Sequence, residues 1–93
     1  MPRPPRLVDV SVLLAPGLAT YPGNPAFEIT PVHRIAGGDT SNNSRLVMGT
    51  HTGTHVDAPL HFFDGRPGVD AMALELLIGR ARVIELPHRG GIT

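Results

Sequence analysis

The sequence predicts a small β-rich α/β domain. Three observations point there: four strand-length runs of β-branched and aliphatic residues, a single short stretch with helical end signals, and 11 glycines with 10 prolines in 93 residues. That glycine and proline content puts much of the backbone in turns and leaves little room for long helices. A hydrophobic fraction of 41% and a mean hydropathy near zero describe a globular chain. Its length suffices for one small domain or part of one, with a modest buried core.

The elements follow in order. Residues 1–6, Met-Pro-Arg-Pro-Pro-Arg, are read as a disordered segment. Leu7 to Leu14 forms the first strand-length run and is closed by Pro16-Gly17. Tyr21-Pro22-Gly23-Asn24-Pro25 is dense in residues that fix or free φ, so a loop is expected with Tyr21 at its entrance. Phe27 to Ile35 alternates imperfectly and reads as a second strand, placed at an edge because Pro31 cannot donate to a ladder. A polar turn region covers 37–44, and Arg45 to Met48 opens a third extended segment. Asp64 to Gly68 is a turn. Asp70 is placed to cap a short helix, Ala71 to Ile78, that Gly79 ends. Arg80 to Leu86 alternates as a final strand stopped by Pro87.

Charge and composition exclude several classes of function. The formal net charge is zero, and all eight basic residues are arginines scattered singly, which is no footprint for nucleic acid or an anionic membrane. The apolar run after the N-terminus is interrupted by Asp9 and Ser11 and lacks a signal-peptide core, and nothing approaches a membrane-spanning length. A cytoplasmic protein is therefore expected. With no cysteine, a disulfide framework and a thiolate zinc site are both excluded, so any metal must be held by imidazole and carboxylate.

The informative stretch is His51-Thr52-Gly53-Thr54-His55-Val56-Asp57-Ala58-Pro59-Leu60-His61. Its three histidines and one aspartate all occupy odd positions, so an extended chain sends them to one face. The β-branched residues and Pro59 oppose a helix. A straight strand would hold the Cα atoms of His51 and His55 roughly 13 Å apart at about 3.3 Å per residue, too far for one ion bound through contacts of about 2 Å. The chain must bend between them, and Gly53 is the residue able to take the unusual angles. Asp57 then completes a facial His-His-carboxylate set, with a second oxygen to bridge a further cation. Three ligands leave positions open for water, as in catalytic sites. His33 and His88 have no local partners and read as structural or exposed.

The pattern His-x-Gly-Thr-His-x-Asp-x-Pro-x-His resembles the signature of the cyclase family, which includes bacterial kynurenine formamidases and isatin hydrolases. Asp9-Val10-Ser11 resembles that family's opening strand, Tyr21-Pro22-Gly23 its aromatic-Pro-Gly loop, and Ile78 to Leu86 the segment after the metal motif. The resemblance implies that 7–93 is the N-terminal part of a cyclase-family domain with a β-rich swivelling β/β/α fold. It implies that His51, His55 and Asp57 ligate a divalent metal, zinc first and manganese second, with Asp57 able to bridge two ions. It further implies that His61 is the general acid/base and that Tyr21 lines the pocket of a small-molecule substrate, in a homo-oligomer. Formamidases commonly carry tryptophan and Pro-Gly-Asp where this chain has Tyr21 and Asn24. Family members usually exceed twice this length, and their second half adds a histidine and a glutamate that Glu75, Glu85 and His88 do not match.

Three functions are in view on these grounds. The first is metal-dependent hydrolysis of an amide or lactam C–N bond, with an N-formyl aromatic amide as substrate. The second is a truncated, non-catalytic metal-binding or oligomerisation module. The third is a cyclase or dehydratase acting on another carbonyl compound.

Overall fold

The computed structural model describes residues 1–91 and divides the chain into two units, Met1–Asp57 and Ala58–Thr93. The first contains the regular secondary structure: strand β1 (Glu28–His33) and strand β2 (Asn43–Val47) form a two-stranded antiparallel sheet. Glu28 faces Val47, and the register runs through Ile29 with Leu46 and Thr30 with Arg45 to Pro31 with Ser44, after which His33 faces Asn43. Val32 is therefore the extra residue of a bulge. It falls directly after Pro31, a residue that strands tolerate only at an edge or a bulge because it has no N–H to donate. This strand lies inside the expected Phe27 to Ile35 run, and in a sheet of two strands among the described residues both are edges.

The connection between the strands is held by side chains as well as backbone. A single 3-10 turn (Ile35–Gly37) ends at Gly38, whose φ of 99° closes it through an N–H donated to the Ile35 carbonyl. The Asp39 carboxylate accepts the Arg34 N–H at 2.7 Å, and Asn42 Oδ1 accepts the Ile35 N–H at 2.9 Å. These short polar side chains replace ladder hydrogen bonds with local ones, the usual chemistry of a turn.

Before the sheet, two Pro-Gly steps turn the chain in the same way. Leu18 N–H donates to Ala15 O at 3.1 Å and Asn24 N–H to Tyr21 O at 3.0 Å, with Gly17 and Gly23 both at φ 88°. Proline second and a left-handed glycine third is the type II pattern. Tyr21 thus stands at the first position of its loop, exposed. Phe27, at the mouth of β1, is buried at 6% exposure, and Thr52 is buried beside the histidine cluster at 4%.

Three expected elements are corrected. Leu7 to Leu14 forms no strand among the described residues. The Asp9 carboxylate accepts both the N–H and the hydroxyl of Ser11, at 2.9 and 2.6 Å, so an Asx-type turn takes the backbone out of ladder geometry. The same two bonds, the hydroxyl first, hold the Asp9 carboxyl below the ordinary aspartate range.

In the second unit, the expected helix from Ala71 to Ile78 is replaced by two separate 3-10 turns, Val69–Ala71 and Leu74–Leu76. Met72 and Ala73 between them are extended, with ψ of 135° and 132°. Asp70 lies inside the first turn and makes no cap; Gly68 holds the cap position, without a side-chain bond. Eight residues close too few hydrogen bonds to offset helix nucleation unless an apolar face is buried, and Leu74, Leu76 and Ile78 are exposed. Arg80 to Leu86 likewise forms no strand among the described residues, and Val83 is 95% exposed. A strand needs a neighbour to pair its backbone, and among the described residues only β1 and β2 pair. What the second unit does form is a tight loop. The 3-10 turn Pro59–His61 leads into it, Phe63 N–H reaches Pro59 O at 3.0 Å, and Leu60 N–H reaches Pro67 O at 3.1 Å. Among the described residues no helix is long and apolar enough to cross a membrane.

Candidate metal centre

The cluster is built on a bend at Gly53, whose φ of 66° lies in the left-handed region. Space as well as torsion selects glycine there. A Cβ on Gly53 would stand 2.7 Å from Leu14 Cδ2 and 3.2 Å from Val12 Cγ1, well inside ordinary carbon contact distance. The segment that forms no strand thus packs against the bend, and Thr54 fastens it by accepting the Val12 N–H at 2.9 Å.

The bend brings three donor atoms together. His51 Nδ1 lies 2.8 Å from Asp57 Oδ1 and 3.2 Å from His55 Nε2, and His55 Nε2 lies 3.2 Å from Asp57 Oδ1. The two rings meet edge to face at 75°, with centroids 5.1 Å apart. All three side chains are partly exposed, so small molecules in solvent have access to the group.

His55 has its ring orientation set from behind. Its Nδ1 stands 2.7 Å from the Gly53 carbonyl oxygen. A carbonyl only accepts, so Nδ1 carries the proton and Nε2 presents its lone pair to the other two donors. A histidine whose second nitrogen is held by a carbonyl is the usual arrangement around a protein metal. The sequence reading missed this role of the Gly53 carbonyl. A backbone acceptor has no residue type to announce it.

The donor set fits a divalent cation. Adjacent ligands around an octahedral centre with bonds of about 2.1 Å stand about 3.0 Å apart, and around a tetrahedral centre about 3.4 Å. The observed separations match the first, and the two 3.2 Å edges approach the second. Two imidazole nitrogens and one carboxylate oxygen on one face suit zinc, manganese or iron.

The other candidate residues are placed as follows. His61 ends the Pro59–His61 turn in the second unit, donating its N–H to Ala58 O at 2.9 Å. Its ring stands edge-on to Phe62, with centroids 4.3 Å apart. Tyr21 sits on the Pro-Gly turn of the first unit with its ring in solvent. His33 lies at the end of β1, with Nδ1 3.9 Å from an Asp39 oxygen, a surface pairing consistent with a structural role.

Comparison with known proteins identifies the family. The Cyclase family pattern matches residues 8–92, and the chain belongs to that family. It is 40% identical over 82 residues to the kynurenine formamidase of Erythrobacter litoralis (strain HTCC2594). The alignment covers 86% of this chain and 37% of that relative, so the chain spans little more than a third of its length. No solved structure matches the chain.

Proposed function

We propose that this chain is the metal-holding part of a hydrolase that cleaves a non-peptide C–N bond, with an N-formyl aromatic amide as substrate. The observation that carries the reading is the convergence of His51 Nδ1, His55 Nε2 and Asp57 Oδ1 within 3.2 Å of one another, in a chain of the cyclase family. The identity to a kynurenine formamidase supports the substrate class. Zinc is the first expectation for the ion and manganese the second, and the spare Asp57 oxygen is suited to a second ion. The chain is expected to supply the N-terminal part of a swivelling β/β/α fold in a cytoplasmic homo-oligomer. Exposed apolar residues such as Phe62, Phe63 and Leu76 support the burial of this surface against further polypeptide.

A bound divalent ion supplies Lewis-acid polarisation of the scissile carbonyl and lowers the pKa of water. The chain's own residues divide the remaining work. His51, His55 and Asp57 hold the ion, and the Gly53 carbonyl keeps His55 in the competent tautomer. His61 is assigned the proton transfer: it takes a proton from the attacking water and delivers it to the departing nitrogen as the C–N bond breaks, giving formate and an amine. An imidazole suits this task because its ring nitrogens can both accept and donate a proton. Tyr21 would offer an aromatic face to the substrate ring.

The second reading is a metal-binding module without turnover, which the same convergence of His51, His55 and Asp57 supports. One experiment separates the two. The purified protein is analysed for bound metal and assayed with N-formyl aromatic amides in the presence of zinc or manganese. Hydrolysis with about one ion or two per chain supports the enzyme, and tight metal binding without hydrolysis supports the module. Absence of metal binding would sink both.

A further inference from the structure

We infer that Thr54 is a positioning residue for the metal ligand His55, acting through the backbone bend at Gly53. This rests on the reading of His51, His55 and Asp57 as metal ligands and adds to it a part for a residue that bears no ligand atom. Thr54 lies between the bend and the ligand in sequence, and its Oγ1 accepts the N–H of Val12, 42 residues away, at 2.9 Å. The segment so fastened is the one that covers Gly53. Leu14 Cδ2, Val12 Cγ1 and Leu18 Cδ2 stand 2.7, 3.2 and 3.7 Å from where a Cβ would be on that residue.

The covering segment has no sheet of its own to hold it. Residues 7–14 form no ladder among the described residues, and Ser11 bonds locally to Asp9. The bond to Thr54 is thus a tether between a segment without regular structure and the ligand loop. While it holds, Gly53 is confined at φ 66° and its carbonyl stays 2.7 Å from His55 Nδ1. When it is lost, the hydrogen bond that holds Val12 to the ligand loop is gone, and the carbonyl is freer to leave the ring. His55 Nε2 then no longer presents its lone pair to the metal site in one tautomer.

The tether lies at the surface, where water can replace a lost partner, so the effect belongs at the lower end of the roughly 10- to 100-fold that outer contacts of metal ligands contribute. The test compares wild type, Thr54→Val, which removes the acceptor at nearly constant shape, and Thr54→Ser, which keeps it. All are made in the full-length protein. Long-range proton–nitrogen spectra of the metal-free proteins read the His55 tautomer, and calorimetric titration with zinc alone reads affinity. We expect one Nδ1-protonated tautomer in wild type and Thr54→Ser. Thr54→Val should show mixed tautomers and bind zinc roughly tenfold more weakly. A single unchanged tautomer with unchanged affinity in Thr54→Val overturns the inference. If Thr54→Val does not fold, Val12→Pro removes the other partner of the same bond and is read in the same way. Tautomer mixing in the variant of a protein whose wild type binds no zinc or manganese would uphold the positioning role and overturn the metal reading instead.

Discussion

Replacing Gly53 by alanine tests the bend on which the candidate centre depends, and the structure permits the cost to be worked in two parts. The first is torsional: a φ of 66° costs a residue with a Cβ about 1–2 kcal/mol. The second is steric. The new methyl would meet Leu14 Cδ2 at 2.7 Å and Val12 Cγ1 at 3.2 Å, and forced overpacking costs about 1–3 kcal/mol. Leu14 is partly exposed and Cδ2 is the tip of its side chain, so this contact relaxes and the lower figure applies. Together the two amount to about 2–3 kcal/mol, equivalent to roughly 30- to 150-fold in the equilibrium that keeps the loop bent. Zinc titration of Gly53→Ala should show a fall in affinity of that order. Adding Leu14→Ala should return about 1 kcal/mol, seen as coupling in a double-mutant cycle, while the torsional part persists. Wild-type affinity in Gly53→Ala would refute the bend as the organising feature, and complete rescue by Leu14→Ala would refute its torsional component.

Three further outcomes are expected. His51→Ala and Asp57→Ala each remove one donor from a group whose members lie within 3.2 Å; metal affinity should fall more than roughly 100-fold, read by elemental analysis after dialysis. His61→Ala should retain metal content and lose roughly 10²- to 10⁴-fold in turnover of an N-formyl aromatic amide; retained turnover would remove His61 from proton transfer. The Asp9 carboxyl, depressed first by the Ser11 hydroxyl and then by its N–H, contributes stability above the unfolded aspartate pKa and loses it as pH falls through the lower folded value. Ser11→Ala should therefore move the Asp9 titration midpoint upward in an NMR pH series, and an unmoved midpoint would show that the Ser11 hydroxyl is not the main cause.

What could be read from the sequence divides by the range of the interactions involved. The two Pro-Gly turns, the hairpin strand after Phe27 and the left-handed bend at Gly53 are decided by torsional preferences within a few residues, and all were legible. The clustering of His51, His55 and Asp57 was legible for the same reason, since one bend sufficed to bring alternate side chains together. Leu7 to Leu14 misled because its aliphatic residues carry strand propensity, whereas the local bonds from Asp9 to Ser11 outweigh it. Ala71 to Ile78 and Arg80 to Leu86 misled differently. Their periodicities describe faces waiting for a neighbour, and in this chain Leu74, Leu76, Ile78 and Val83 remain exposed. The hold of the Gly53 carbonyl on His55 was invisible because it belongs to the main chain, which every residue shares.

The Val32 bulge bears on how this polypeptide behaves in a test tube. A two-stranded ribbon has two open rims, each able to template a foreign strand, and such ribbons are marginal alone in water. On the β1 rim, Pro31 withholds a donor and the adjacent bulge breaks the spacing that an incoming strand would have to match. The β2 rim, Asn43 to Val47, carries neither protection. Polymerisation at high concentration should accordingly grow from that side, and a proline or lysine introduced there should slow it.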